Sequence, residues 1–230
     1  METAKEALEK MGHTLVEFEV PEMEQAFTNY MKILLANGYK GIEGSLAGEK
    51  ALWFYEGPKV LHNHPMLKKP LFKLARSMGF GRQIQVVEEC PPLSSAEFIT
   101  EYFSMIDYRE MFTKKWKELN LDAMISPVTA TPAPQHRGTE FTFCQMSYCM
   151  MYNYLNYPTG IVPVTLVQSN EMVYEGEHKD GTDAQCEKIM QGSAGLPVCV
   201  QVAALACEDE KALGVMQQIQ DAIKFHKFAL

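Results

Sequence analysis

Residues 152–165 of the chain read YNYLNYPTGIVPVT, and they join a predicted helix directly to a predicted strand. Residues 143–155, which lead into this stretch, are apolar on nearly every helical face, and this pattern predicts a buried helix. Residues 160–167 are too apolar for a half-exposed strand. They therefore predict a strand that is covered on both faces.

Three further segments extend this pattern in both directions along the chain. Residues 121–127 and 197–205 predict two more short apolar strands, and residues 208–225 predict a last helix. Strands without a polar face must be covered on both sides, so the sequence predicts an α/β fold with helices on both faces of a sheet. Four residues of the last helix are expected to face the core: Leu213, Met216, Ile219 and Ile223.

The first half of the chain predicts several helices and one strand. A first helix is expected to end at Gly12. Residues 13–20 alternate between apolar and acidic side chains, which predicts a strand. Pro21 then begins a second helix. Further along, Ser94 or Ser95 can cap a long amphipathic helix.

Composition argues against several classes of protein. Of the 230 residues, 47% are hydrophobic and 22% are charged, which is typical of a folded globular chain. A net charge of -8 gives no support to nucleic-acid binding, which normally needs a basic surface. No apolar run reaches the roughly 20 residues that span a bilayer, and the charged start does not resemble a secretory signal. The six cysteines form no CxxC pair and are expected to be reduced core residues of a cytoplasmic protein.

The sequence shows neither a metal site nor a recognisable nucleophile. The histidines lack cysteines at zinc-ligand spacing, and His62 and His64 are expected to face solvent. Residues 44–48 resemble a G-x-S-x-G motif, but their serine directly follows the first glycine. Residues 192–195 are expected to let the backbone pass closely before a strand rather than to carry a nucleophile. We therefore assign no catalytic residue, metal or cofactor.

Three segments and the start of the chain together resemble one enzyme family. The segments are residues 125–134, 152–165 and 195–201, and the matching start is residues 6–16. In this order and at these separations they are similar to the C-terminal half of the amidase-signature family, and most similar to its fatty-acid amide hydrolase group. The resemblance implies that residues 1–230 are a partial amidase domain. It also implies the C-terminal portion of the amidase-signature fold, a mixed β-sheet covered by helices on both sides.

The same resemblance implies a reaction and a missing part. The family hydrolyses amides with a serine nucleophile, a second serine and a lysine, and none of these positions matches a residue of this chain. The chain is then the C-terminal part of an enzyme that splits lipid amides into fatty acid and amine, and it is inactive alone. A non-catalytic lipid-binding or regulatory relative and an amidase for small polar amides stay open as alternatives. The oligomeric state, including a homodimer, stays open too.

Substrate-contacting residues follow from the resemblance alone. The helix predicted over residues 143–155 matches one that lines the acyl pocket of the relatives, and the match places Met146, Cys149 and Met150 against the lipid amide. Methionine suits an acyl chain because its side chain adapts its shape. Thr182 departs from the family, since relatives carry a bulky aromatic residue there. The alternative is ordinary core packing of this helix. Three more residues fall near other pocket positions: Leu34, Leu35 and Ile42.

A basic and apolar stretch predicts contact with a membrane. Residues 57–87 contain no acidic residue but six lysines and arginines, interleaved with leucine, phenylalanine and methionine. Residues 57–90 fall where the relatives have a membrane-facing cap, and this mixture suits an anionic lipid surface. The expected location is cytoplasmic, peripheral on an intracellular membrane, and a solvated surface hairpin is the alternative. The residues expected to face the membrane are Lys68, Lys69, Phe72 and Lys73.

Overall fold

The structure is a computed structural model that describes residues 1–38, 40–46, 49, 60, 61 and 64–225. It confirms the α/β fold class, because helices flank a small sheet. In the described ranges, 3-10 helices cover Pro65–Leu67, Gly138–Phe141 and Phe143–Met146. The α-helices are α1 (Glu2–Lys10), α2 (Met23–Leu34), α3 (Lys40–Ser45), α4 (Lys68–Ser77), α5 (Gly81–Glu89), α6 (Ser95–Glu118), α7 (Ser147–Leu155), α8 (Gly181–Met190) and α9 (Asp209–Ile223).

The sheet has β3 (Pro197–Ala203) at its centre, between β1 (Met124–Pro127) and β2 (Thr159–Leu166). Both pairings among the described strands are antiparallel, so the parallel pairings of a mixed sheet are not among them. The register of β2 shifts between Pro163 and Thr165. A proline has no N–H to donate to the ladder, which is why such irregularities gather around it. The three strands lie inside the ranges that the sequence predicts, within one residue at the start of β2.

Helices cover both faces of the sheet, as predicted. Successive residues of a strand point to opposite faces, so Val202 and Ala203 enter two different hydrophobic cores. The Val202 face packs against α1 and α9, through side chains that include Leu8 and Ile219. The Ala203 face packs against aromatic residues of α6 and α7, which include Phe112, Trp116, Tyr152 and Tyr154. This second core places α7 beside the end of the sheet.

Helix α6 begins with a capping box at Ser94. The Ser94 hydroxyl accepts a hydrogen bond from the Glu97 N–H at 3.3 Å, and the Glu97 carboxylate accepts one from the Ser94 N–H at 2.8 Å. These bonds satisfy N–H groups that have no partner inside the first turn of a helix. Of the two predicted cap residues, Ser94 is therefore the correct one.

The strand predicted at residues 13–20 is not formed. This segment is extended, and no ladder pairs it with another strand in the described part of the chain. Phe18 and Leu15 still pack against the two cores, while Val16 is 52% exposed. Alternation alone does not make a strand, because a strand also needs the backbone of a neighbour, which the pattern does not specify.

Two predictions of burial are also wrong. Leu213 is 60% exposed, because the inward stripe of α9 follows Ala212 and Ile219 and leaves Leu213 one residue out of phase. Cys149 and Cys207 are exposed rather than core residues. Cys207 lies in the turn before α9 with a positive φ of 68°, and Cys149 lies on the outer face of α7.

Candidate functional site

Helix α7 and the 3-10 helix before it form the predicted substrate-contacting segment, and the structure divides that segment into two faces. Met146, Cys149 and Asn153 are exposed, and helical spacing of three and four places them along one side. Met150 is only 1% exposed, although the same spacing places it next to Met146 and Asn153, so it lies where this side meets the core. The outer side is therefore accessible to a ligand, whereas the inner side packs against the protein. The role of each residue in binding stays a prediction.

The residues predicted near other pocket positions lie at and after the end of α2. Leu34 is exposed and Leu35 is half-buried at the C-cap of this helix. The side chain of Ile42, in α3, lies outside the described part of the chain. Helix α2 packs directly on α7. The Tyr154 hydroxyl donates a hydrogen bond to the Asn29 side chain, and the Tyr154 ring contacts the Tyr30 ring edge-on.

Buried polar side chains fix α7 against the sheet. The side-chain amide of Gln201, in β3, donates to the carbonyls of Pro127 at 2.7 Å and Tyr148 at 3.0 Å. The hydroxyls of Tyr152 and Ser126 lie 2.6 Å apart in a hydrogen bond. Burial raises the pKa of Tyr152 to about 12, so its phenol stays neutral. These bonds satisfy buried groups and orient the first turn of α7.

A cleft of about 890 Å³ opens beside β1, and Met151 and Tyr152 of α7 contribute to its lining. All four residues of β1 line it, together with the segment 12–16. Among the described strands β1 pairs only with β3, so no ladder occupies its other edge there. The sequence predicts β1 but not the cleft, because nothing local indicates which segments meet around it.

The two serines in glycine-rich stretches bond to the backbone. The Ser45 hydroxyl donates to the Gly41 carbonyl at 3.0 Å, and the Ser193 hydroxyl donates to the Met190 carbonyl at 2.7 Å. Ser193 is 1% exposed and precedes Gly195, whose φ is +83°. Ser45 therefore bonds within the last turn of α3, and Ser193 bonds back to the end of α8. Within the described residues, no cluster of histidine, cysteine and carboxylate side chains could hold a metal ion.

The basic stretch forms a pair of helices, α4 and α5. Lys68, Lys69 and Lys73 are exposed, and Phe72 is half-buried. Residues 57–59, 62 and 63, which include His62, lie outside the described part of the chain. Four apolar residues of this region are exposed at helical spacing: Leu67, Leu71, Leu74 and Met78. These four residues form an apolar row that faces outward, with lysines beside it. A helix that packs against a protein core turns its apolar row inward instead.

Thr182, at the start of α8, is buried and accepts a hydrogen bond from the Gln83 side chain of α5. Thr182 is therefore in contact with the basic helix pair. None of the helices in the described ranges is long and apolar enough to cross a bilayer.

Comparison with known proteins identifies the class to which this fold belongs. The model of the amidase family matches residues 1–213, and the chain therefore belongs to this family.

Two of its relatives are fatty-acid amide hydrolases. Fatty acid amide hydrolase 1 of Caenorhabditis elegans is 26% identical over 96% of this chain and 39% of its own length. The corresponding protein of Sus scrofa is 29% identical over 94% of this chain and 38% of its own length. An acetamidase of Aspergillus oryzae is 26% identical over 95% of this chain and 37% of its own length. The chain thus spans less than two-fifths of these curated relatives.

Solved structures share the fold. A fatty acid amide hydrolase superposes on 96% of this chain with a TM-score of 0.70 and 17% identity, and 36% of its own chain is covered. A 6-aminohexanoate cyclic dimer hydrolase superposes on 96% of this chain with a TM-score of 0.55 and 16% identity, and 40% of its own chain is covered. At this identity the likeness concerns the arrangement of helices and strands.

Proposed function

We propose that this chain is the C-terminal part of an enzyme that hydrolyses fatty-acid amides to a fatty acid and an amine. The observation that carries the proposal is its alignment with two fatty-acid amide hydrolases over 96% and 94% of its length. The catalytic serines and lysine of such an enzyme would lie in sequence other than these 230 residues. The hydroxyls of exposed Ser45 and buried Ser193 both donate to backbone carbonyls, which supports this part of the proposal for those two serines.

The contribution of this chain would be a surface for the acyl group. Met146 and Cys149 form its accessible part, on the outer side of α7. Met150 would support that surface from within the core. A methionine and a cysteine give the surface polarizable side chains without a formal charge, which suits a hydrocarbon chain better than a polar amide.

The deciding experiment measures acyl-length preference in the product of the complete reading frame that contains this chain. We expect kcat/KM to rise from acetamide to amides of long fatty acids. The purified chain 1–230, assayed in parallel, should show no turnover and no labelling by a fluorophosphonate probe. A complete protein without activity on any amide would instead support a lipid-binding or regulatory role.

A second candidate is an amidase for small polar amides. The acetamidase of Aspergillus oryzae matches this chain at 26% identity, as does the Caenorhabditis elegans relative. Identity therefore does not separate the two substrate classes. In the same assay, this alternative predicts the highest kcat/KM for acetamide and a decline with each added pair of carbons.

We also propose that the α4–α5 helix pair contacts an anionic membrane from the cytoplasmic side. The outward row of apolar residues on α4 and its flanking lysines support this proposal. Each basic residue near such a surface contributes about 1 kcal/mol to binding. Changing Lys68 and Lys69 to glutamate should therefore weaken binding of the complete protein to vesicles with anionic lipid by at least about thirtyfold.

The matched control changes Lys114 and Lys117, which are exposed on α6, to glutamate. The two double variants have the same net charge, so a general electrostatic effect would weaken both equally. We expect the α6 variant to retain most of its binding. Equal losses in the two variants, or no loss in either, would count against a membrane-facing role of α4.

A further inference from the structure

The turn between α4 and α5 touches the start of α8 through a contact that requires two glycines. The Gly181 N–H donates to the Gly79 carbonyl at 2.9 Å. A Cβ on Gly79, whose φ is +86°, would lie 2.7 Å from the Gly181 nitrogen. A Cβ on Gly181 would lie 2.7 Å from the Phe80 ring. The two backbones can approach this closely only because neither position carries a side chain.

Arg82, the second residue of α5, adds an ionic contact between this turn and the start of α8. Its Nε donates to Asp180 Oδ2 at 2.7 Å, and its Nη2 donates to Asp180 Oδ1 at 2.9 Å and to Asp183 Oδ1 at 3.1 Å. The planar guanidinium therefore engages one carboxylate with two nitrogens and reaches a second carboxylate. A lysine has no such fork and could not reproduce this geometry.

Both carboxylates are held in place by α8 and the loop before it. Asp180 is the N-cap of α8 and accepts hydrogen bonds from the N–H groups of Thr182 and Asp183. The second oxygen of Asp183 accepts from the N–H groups of His178 and Lys179 at 2.9 and 2.7 Å. The carboxylates do not depend on Arg82 for their orientation, so they form a fixed receptor for its guanidinium.

Helix α4 has little else to hold it. No residue of α4 is buried, and the elements it packs against most extensively are α5 and the 3-10 helix before it. Helix α5 in turn packs against α2. The direction of α4 therefore depends on the turn at Gly79, and that turn is fixed where Arg82 meets α8.

We propose that Arg82 is a positioning residue, which fixes the α4–α5 turn on α8 and so sets where the exposed apolar row of α4 points. The anchored turn lies beside the buried Thr182. Loss of the ionic contact would release α4 while the sheet and α6 remain folded. This inference concerns the contact between two parts of the chain and does not depend on the substrate.

The test is hydrogen–deuterium exchange of the complete protein that contains this chain, resolved by peptide, for Arg82→Gln and Arg76→Gln. Arg76 pairs with Glu88 within the helix pair, and both side chains are nearly half exposed. Its replacement removes the same charge without touching α8. We expect exchange in residues 64–80 to accelerate about tenfold in Arg82→Gln, as hydrogen bonds to charged groups are lost. It should change less than about twofold in Arg76→Gln, because exposed ion pairs contribute little.

A third variant and salt distinguish an ionic contact from general packing. Arg82→Lys should recover part of the protection, because it restores the charge but not the fork. Raising the salt concentration should accelerate exchange of residues 64–80 in the unmodified chain and have less effect in Arg82→Gln. Unchanged exchange in Arg82→Gln, or an equal effect of Arg76→Gln, would overturn the proposal. So would an equal acceleration in β3, because Arg82 would then support the whole fold rather than position one helix pair.

Discussion

Replacing two neighbouring residues of α7 should give different results, because Cys149 is exposed and Met150 is buried. Cys149 is exposed, so Cys149→Trp should change the free energy of unfolding by no more than about 0.5 kcal/mol. Met150 is 1% exposed, so Met150→Ala leaves a cavity in the core. Such a change costs about 2–5 kcal/mol. With about 2–4 °C per kcal/mol in a domain of this size, a 3 kcal/mol loss lowers Tm by about 6–12 °C.

Two measurements together test both the geometry and the substrate proposal. Thermal unfolding of each variant, followed by circular dichroism, reports which face is packed. The ratio kcat/KM of the complete protein, measured over a series of acyl lengths, reports which face meets the substrate. If the acyl chain runs along the outer face, the indole of Cys149→Trp should obstruct long substrates more than short ones. Met150→Ala should lower activity similarly at every length.

Different outcomes refute different steps of this reasoning. A loss of more than about 2 kcal/mol in Cys149→Trp would mean that the outer face is packed against protein. Normal stability together with equal activity at every acyl length would leave the geometry intact. It would mean that α7 does not contact the substrate. The main structural argument in this chain for a fatty-acid amide substrate would then be lost.

Three further predictions concern a serine nucleophile, the cap of α6 and the charge of Asp180. Incubation of the chain 1–230 with a fluorophosphonate probe should label no serine, and stoichiometric labelling detected by mass spectrometry would show that a nucleophile is present. Ser94→Ala should destabilise the chain by about 1 kcal/mol through loss of the α6 capping box, whereas unchanged denaturant unfolding would mean that the cap contributes nothing. The Arg82 guanidinium and the N–H groups of α8 lower the pKa of Asp180 from an ordinary 3.8 to about 2. Because this pKa is depressed in the folded state, the carboxylate stabilises the fold fully above 3.8, and the effect is lost as pH falls towards 2. Asp180→Asn, which keeps a capping side chain, should therefore lower Tm at pH 7 but not near pH 2, and an equal deficit at both would exclude a charge effect.

Features set by neighbouring residues could be predicted from the sequence. The strand ranges follow from short apolar runs, and the start of α6 follows from a serine with a glutamate three residues later. The match to the amidase family also depends on segments whose order is visible in the sequence, and the family model confirms it. The cap is satisfied within a few residues of chain, and each strand range shows as a short apolar run, so neither prediction needs the position of a distant residue.

Features that need a distant partner were decided only by the tertiary structure. A helix over residues 143–155 would be apolar on nearly every face. The sequence therefore could not show that Met150 is buried while Cys149 is exposed. Residues 13–20 have the alternation of a strand, but the backbone of a neighbouring strand decides whether a ladder forms. Arg82 and Asp180 are 98 positions apart, and their types alone do not indicate that they meet. Burial and ion pairing are properties of the space around a side chain, and folding brings together the residues that fill that space.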